Sequence, residues 1–113
     1  MGTRYGLPLA AALGDRMRCA VFGKFGLWQS TVLPPTLDTT HATGEAVGQI
    51  SARTLFHVQW DDEVFPRDGQ FALFDLLASD DKRLIAYPGP HADAHPDAVA
   101  AWRTFLAAGL TLY

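Results

Sequence analysis

The chain has one cysteine in 113 residues. A single thiol excludes an internal disulfide and fits a reducing compartment. Cys19 lies in the apolar run Cys19-Ala20-Val21-Phe22, where cysteine serves as a small buried hydrophobe. A reactive thiol needs an electropositive, partly exposed setting instead. Long hydrophobic runs are missing too. The stretch from Leu7 to Leu13 falls far short of the ~20 residues that span a bilayer. No small-residue cleavage site follows it before Asp15 and Arg16, which argues against a signal peptide. Met1-Gly2 is not a myristoylation start, because Gly6 stands where Ser or Thr is required. Basic clusters are also absent. The net charge is −3 and the isoelectric point about 5.7. Arg4, Arg16, Lys24, Arg53, Arg67 and Arg83 are scattered singly, which leaves no stripe to track a phosphate backbone. The expectation is therefore a cytoplasmic protein with neither nucleic acid nor membrane as a partner. No repeat, low-complexity tract or linker divides the chain, so residues 1–113 read as a single domain.

What is present suits a folded α/β layer. Apolar residues make up 49% and charged residues 19% of the chain, an ordinary globular balance. A chain of this length buries roughly two thirds of its unfolded surface, so neither disulfide nor metal is required to hold it. Three short apolar runs read as strands: 18–23, 54–59 and 83–87. None alternates cleanly with polar residues, which is the pattern of strands covered on both faces in a parallel sheet. Helices are expected between and after them. Phe71, Phe74 and Leu77 recur at i, i+3, i+6 and predict an amphipathic helix over 68–78. Val99, Trp102, Leu106 and Leu110 form a second stripe with Phe105 on its flank, opened by Pro96 and closed near Gly109. A weaker helix is expected over 43–52 and another over 7–13, which Pro8 confines to starting there. Pro34-Pro35 and its polar neighbours make Leu27 to Thr40 a long loop. Helices alternating with strands predict parallel strands joined by right-handed crossovers, and such sheets bind ligands at the strands' C-terminal ends.

Two polar residues stand at that end. After the second strand comes Trp60-Asp61-Asp62-Glu63-Val64-Phe65-Pro66, and after the third comes Pro88-Gly89-Pro90-His91. An acid followed by a histidine is the order of the last two members of a Ser-Asp-His hydrolytic triad. A serine hydroxyl becomes a useful nucleophile when a neutral imidazole accepts its proton. A carboxylate on the other ring nitrogen holds that imidazole in the correct tautomer. Asp62 is the expected acid and His91 the expected base. Taken singly, Asp62 also reads as a turn or helix-cap residue and His91 as a loop histidine, and only their pairing favours the catalytic reading. Asp61 and Glu63 read as solvated neighbours, His57 as a satisfied core histidine, and His41 as a residue of the polar loop region without an evident partner. His91, Asp93 and His95 alternate in a way that suits a divalent ion, yet no fourth ligand appears and His95-Pro96-Asp97 already makes sense as a helix entry. No metal and no cofactor are expected. Trp102 reads as core, Trp60 as core or pocket wall, and Trp28 with the loop after it as a cover over a substrate or a surface wall.

These residues resemble the α/β-hydrolases of the dienelactone-hydrolase or esterase type. That family carries Gly-x-x-Asp-x-x-x-Pro after an apolar strand, and the segment Gln59 to Pro66 matches it except that Gln59 replaces the glycine. The family's last strand ends in a Gly-x-His turn, matched by Gly89-Pro90-His91. The resemblance covers nearly the whole chain, with 54–91 its specific part. It implies a three-layer, partial α/β-hydrolase fold: about three parallel strands with flanking helices. It also implies a small ester-type substrate for the full-length parent. The nucleophile motif Gly-x-Ser-x-Gly is absent, and Ser30, Ser51 and Ser79 lack glycines at the needed spacing. Met1-Gly2-Thr3 and the Leu/Ala run after it resemble the continuation of a nucleophile elbow. On that alignment the serine stands immediately before Met1, and the chain is truncated just after it. Inactivity alone is the resulting expectation. The alternative is a non-catalytic oligomerisation or interaction module on a degenerate hydrolase fold. An uncovered first-strand edge further predicts a homodimer or higher oligomer.

Overall fold

In a computed structural model, residues 2–30 and 40–111 are described. The order is α1 (Gly2–Leu13), a 3₁₀ turn (Gly14–Arg16), β1 (Cys19–Gly23), α2 (Thr40–Val47), β2 (Arg53–Gln59), α3 (Arg67–Leu76), β3 (Lys82–Tyr87) and α4 (Pro96–Thr111). Most of the expected long loop, residues 31–39, lies outside the described residues. The three strands form one parallel sheet in the order β1-β2-β3, as the continuous apolar runs predicted. No described helix is long and apolar enough to cross a membrane.

The middle strand decides the layering. Successive side chains of a strand point to opposite faces, and from Thr54 to Gln59 every side chain of β2 is buried. Phe56 and Val58, together with Ala20 and Phe22 of β1, face α1, α2 and α3. There they pack with Leu7, Val47, Ile50 and Leu73 in one apolar cluster. Leu55, His57 and Gln59 face the other way, toward α4. On that side the Phe105 ring of α4 lies under the Arg53 guanidinium at 4.6 Å. The backbone of α4 approaches β1 so closely that a Cβ on Gly109 would meet the Cys19 sulfur at 2.5 Å. The result is an α/β/α sandwich, three helices on one face and one on the other.

Four details depart from the sequence expectations. First, α1 begins at Gly2 and runs through Pro8. An interior proline forfeits a helix hydrogen bond at a cost of about 3 kcal/mol. Here Pro8 points to solvent while Leu7 and Ala10 beside it are buried in the main core, and that burial offsets the loss. The helix stops at Gly14, whose φ of +53° is left-handed. Second, α2 starts at Thr40 and ends at Val47, because Gly48 and the turn bonds to Gln49 and Ile50 break it. His41 is therefore on a helix, not in the loop, with Glu45 one turn away at 3.1 Å. Third, the inward stripe of α3 is Gly69, Gln70, Leu73 and then Leu77. Phe71 faces outward. A polar glutamine in the buried stripe is what displaces the apolar reading. Fourth, α4 turns Ala98, Phe105 and Gly109 inward and leaves Leu106 exposed. Two small residues permit the close approach that a Val99–Leu106 stripe would prevent.

His57 is a buried polar residue of the α4 face, 1% exposed. The Trp102 indole N–H, a pure donor, points at its Nδ1 at 3.1 Å. That bond makes Nδ1 the acceptor, so the proton sits on Nε2 and is donated to Gln59 Oε1 at 2.7 Å. The histidine is thus satisfied at both ends as the neutral ring. Burial, followed by the nearby Lys24 charge, holds its pKa below the ordinary 6.5, against the opposing Gln59 hydrogen bond.

Two outcomes follow for stability. A lowered folded-state pKa means that the unfolded chain binds the proton more readily. His57 therefore contributes its full share above about pH 6.5 and loses it as pH falls from there toward the folded value. Thermal melts at about pH 7.5 and about pH 5.5 should show a larger drop in midpoint for the wild type than for His57→Gln, which keeps a donor and an acceptor without titrating. The second outcome is a pair of opposite signs. A Cβ on Gly23 would lie 2.5 Å from the His57 Cβ and 2.7 Å from its carbonyl oxygen, whereas one on Gly44 meets nothing nearer than 3.7 Å. Gly23→Ala should destabilise by about 1–3 kcal/mol through overpacking. Gly44→Ala, in the interior of α2, should gain about 0.5–1 kcal/mol of helix stability in denaturant titrations.

Candidate active site

The site lies where β2 and β3 end. Asp62 is in the turn that leaves β2, and its carboxylate is fully shielded from solvent. One oxygen, Oδ1, accepts the backbone N–H groups of Val64 and Phe65, both at 2.8 Å. The local sequence accomplishes this: an aspartate bonding amides two and three residues ahead closes its own turn. Pro66 then leads into α3 at Arg67. The second oxygen, Oδ2, stands 2.7 Å from Nδ1 of His91. A carboxylate oxygen accepts, so Nδ1 carries the proton and Nε2 presents its lone pair. The His91 side chain is 31% exposed, open enough for Nε2 to meet a partner from outside. This is the geometry of an acid that orients a general base.

The histidine turn needs a glycine. Gly89 has φ +117°, a backbone conformation that side chains disfavour, and a Cβ there would crowd Gln59 Nε2 and Asp93 Oδ2 at 3.3 Å each. Three consecutive acids grip this turn. Asp61 Oδ2 accepts the Gly89 N–H at 2.9 Å, and the Asp61 N–H returns a bond to the Gly89 carbonyl at 3.2 Å. Asp62 holds the imidazole. Glu63 Oε2 accepts the His91 backbone N–H at 3.0 Å, and that bond holds the Glu63 carboxyl below its usual pKa. Asp61 and Glu63 are solvent-exposed, as the sequence suggested, yet both are structural partners of the histidine turn. Spacing alone did not reveal this, because the three contacts need the turns after β2 and β3 to lie side by side.

Beneath the turn runs a buried amide pair. Gln59, at the glycine position of the motif, donates from Nε2 to the carbonyls of Pro90 at 2.8 Å and Asp93 at 3.2 Å. Its backbone N–H and C=O are matched by the Gln70 side chain, both at 2.9 Å, and Gln70 Nε2 also reaches the Phe65 carbonyl at 2.8 Å. Sequence reasoning missed Gln70. The available signal was two glutamines at positions otherwise occupied by core hydrophobes.

The remaining candidates are distributed as follows. His91 is turned to Asp62, while His95 Nδ1 accepts the Asp97 N–H at 3.1 Å and its ring lies 5.0 Å from that of Tyr87. The alternating His91–His95 stretch therefore does not converge, and no metal-competent group of three ligands occurs among the described residues. Ser51 and Ser79 lie before β2 and β3, at the opposite end of the sheet from His91. Trp60 is 44% exposed and lines an open groove with Pro66, Arg67, Asp68 and Phe71. The Arg67 guanidinium covers its ring at 4.4 Å. Trp28 packs on Gly69 at the start of α3.

No family model and no curated protein matches the chain. Solved structures do. The zinc-bound structure of a cold-adapted esterase from an Arctic intertidal metagenomic library is 27% identical with a TM-score of 0.72, covering 99% of this chain and 44% of that one. The native structure of that esterase gives a TM-score of 0.70 over the same shares. A monoacylglycerol lipase from Paleococcus ferrophilus is 13% identical, with a TM-score of 0.70 over 94% of this chain and 63% of that one, and shows likeness of fold alone. The chain thus spans less than half of the esterase it resembles. Its sheet and helices have the fold of part of an α/β-hydrolase.

Proposed function

We propose that this chain supplies the acid and the base of an esterase-type serine hydrolase site acting on small esters, with the nucleophile coming from outside these 113 residues. The observation that carries the reading is the 2.7 Å bond from His91 Nδ1 to the buried Asp62 carboxylate. The likeness to an esterase at 27% identity supports it. The dienelactone-hydrolase type is the finer form suggested by the acid motif. The direction of α1 adds support. A connection of five residues, 14–18, joins its C-terminal end to the start of β1, so the helix runs antiparallel to the strand. Its N-terminal end therefore lies at the end of the sheet where Asp62 and His91 stand. A serine just before that helix would stand at that same end of the sheet.

The chemistry is acyl transfer. His91 Nε2 accepts the serine proton as Oγ attacks the ester carbonyl. Collapse of the tetrahedral intermediate breaks the ester C–O bond, and the leaving alkoxide takes the proton back from His91. Water then repeats the cycle on the acyl-enzyme, releasing the acid and regenerating the serine. Throughout, Asp62 stabilises the imidazolium and keeps Nε2 aimed outward.

The test is a chimera in which this chain replaces the equivalent 44% of the Arctic esterase. The chimera should hydrolyse short-chain nitrophenyl esters and take up a fluorophosphonate label, and the isolated chain should do neither. Asp62→Asn in the chimera should lower turnover by about 10⁴, the scale seen when a triad acid becomes an amide. A folded chimera that neither labels nor turns over would overturn the reading, and an undiminished Asp62→Asn rate would remove Asp62 from it.

The second reading is a non-catalytic module that assembles through its sheet. It is favoured by the lack of a Gly-x-Ser-x-Gly pentapeptide and by a sheet in which, among the described residues, β1 pairs only with β2. An unpaired edge recruits strands from other chains. This reading expects a homodimer or larger assembly in light scattering, and a monomeric mass at micromolar concentration would sink it.

A further inference from the structure

We infer that Gln59 is a positioning residue for His91, and that its orientation is set from α4 by Trp102 acting through His57. The inference rests on the reading of His91 as a general base, and its own test does not require catalysis.

Every polar atom in this relay has one sensible role. The Trp102 N–H can only donate, and it donates to His57 Nδ1. His57 therefore carries its proton on Nε2 and gives it to Gln59 Oε1. With Oε1 so occupied, the Gln59 amide nitrogen faces the carbonyls of Pro90 and Asp93 and commits one hydrogen to each. Flipping the amide would place Oε1 against two carbonyl oxygens and an NH₂ against an N–H. The orientation is fixed at both ends. Gln59 and His57 are 0% and 1% exposed, so their own polar atoms are shielded from water, and a bond left unmade by them is expensive.

The two carbonyls bracket the histidine. Pro90 immediately precedes His91 and Asp93 follows two residues later, and the Asp93 N–H closes the turn on the Pro90 carbonyl at 3.1 Å. Gln59 thus holds both sides of the peptide that carries the base, from below. Lys24 Nζ also donates to the Asp93 carbonyl, fastening the same loop to the end of β1. The acids Asp61, Asp62 and Glu63 hold the loop from its outer side. Gln59 supplies the only buried side-chain donors to it among the described residues. A glycine at this position, which the family motif carries, would have none.

The decisive variant is Gln59→Glu. It keeps the shape and still accepts from His57 Nε2–H, while the backbone bonds to Gln70 are untouched. It carries at most one donor, the O–H of its neutral form, where Gln59 presents two N–H groups, so at least one of the bonds to Pro90 and Asp93 is lost. In the isolated 113-residue chain, solvent exchange of the His91 Nδ1 proton, followed by NMR, should accelerate about tenfold, the scale of one lost buried hydrogen bond. In the esterase chimera kcat should fall by about 10²-fold with KM nearly unchanged, the expected consequence of misplacing a reacting group by about 1 Å. A folded Gln59→Glu chain with unchanged His91 exchange overturns the inference, whatever the chimera does. Altered exchange combined with an inactive wild-type chimera leaves the positioning role standing and overturns the esterase reading. Should Gln59→Glu not fold, Trp102→Phe serves instead. It frees His57 Nδ1, so the His57 ring should take up a proton at higher pH and His91 exchange should quicken with it. An unmoved His91 in that variant overturns the relay.

Discussion

A carboxylate placed where no water reaches it dictates much of this structure. Burying an unpartnered charge costs many kcal/mol, so it must be surrounded by donors. Asp62 gains two from its own turn, at Val64 and Phe65, and the third comes from His91 at 2.7 Å. That third bond can form only if the turn after β3 lies against the turn after β2. The constraint therefore spreads. β2 and β3 must be neighbours in register, Gln59 beside Tyr87. Gly89 must adopt its left-handed conformation. Asp61 and Glu63 must reach the same turn from either side of the buried acid.

The two faces of β2 divide the labour. On the α1–α3 face the side chains are apolar and interlock with the helices, and this cluster supplies the hydrophobic stabilisation. On the α4 face the strand carries His57 and Gln59, whose value lies in direction, not in transfer energy. A hydrogen bond contributes only about 0.5–1.5 kcal/mol net, but a buried one left unmade costs more. Such a network penalises every alternative arrangement of the loops it touches. Gln70 reaches across from α3 to the Gln59 backbone, and so links the apolar layer to the polar one.

How much of this was legible in the sequence follows from the range of each interaction. The strands were readable because a parallel strand buried on both faces leaves a largely apolar run without polar alternation, as in Leu55 to Val58, where His57 is the one polar residue. The acid was readable because it closes its own turn with neighbours in sequence, Val64 and Phe65, and the histidine because the turn before it carries the glycine that its positive φ requires, Gly89. Helix faces were misread where small or polar residues do the packing. Phe71 and Leu106 are apolar and exposed, while Gly69, Gln70, Ala98 and Gly109 are the residues turned inward. Periodicity weighs hydrophobicity and has no means of weighing closeness of approach. Pro8 misled for a related reason: a local penalty was outweighed by burial that only the tertiary fold provides. The Trp102–His57 bond that begins the relay joins residues 45 apart in sequence, and nothing in local sequence announces it.

The same ranges bear on the proposed acid–base pair. The bonds that orient His91 come from Gln59, Asp61, Asp62 and Glu63, with Lys24 on the Asp93 carbonyl and Trp102 and His57 behind Gln59. None of them involves the nucleophile. On the proposed reading, the base is aimed and its tautomer chosen before any serine is present, so the serine would add a proton donor to a site already built. Preorganisation of this kind is where catalytic power resides, because groups held in place need no reorganisation when charge develops. It also explains why an acid–base pair can keep its geometry in a chain without a nucleophile elbow. Asp62 and the histidine turn satisfy each other's buried polar groups, and stability alone is enough to hold them together.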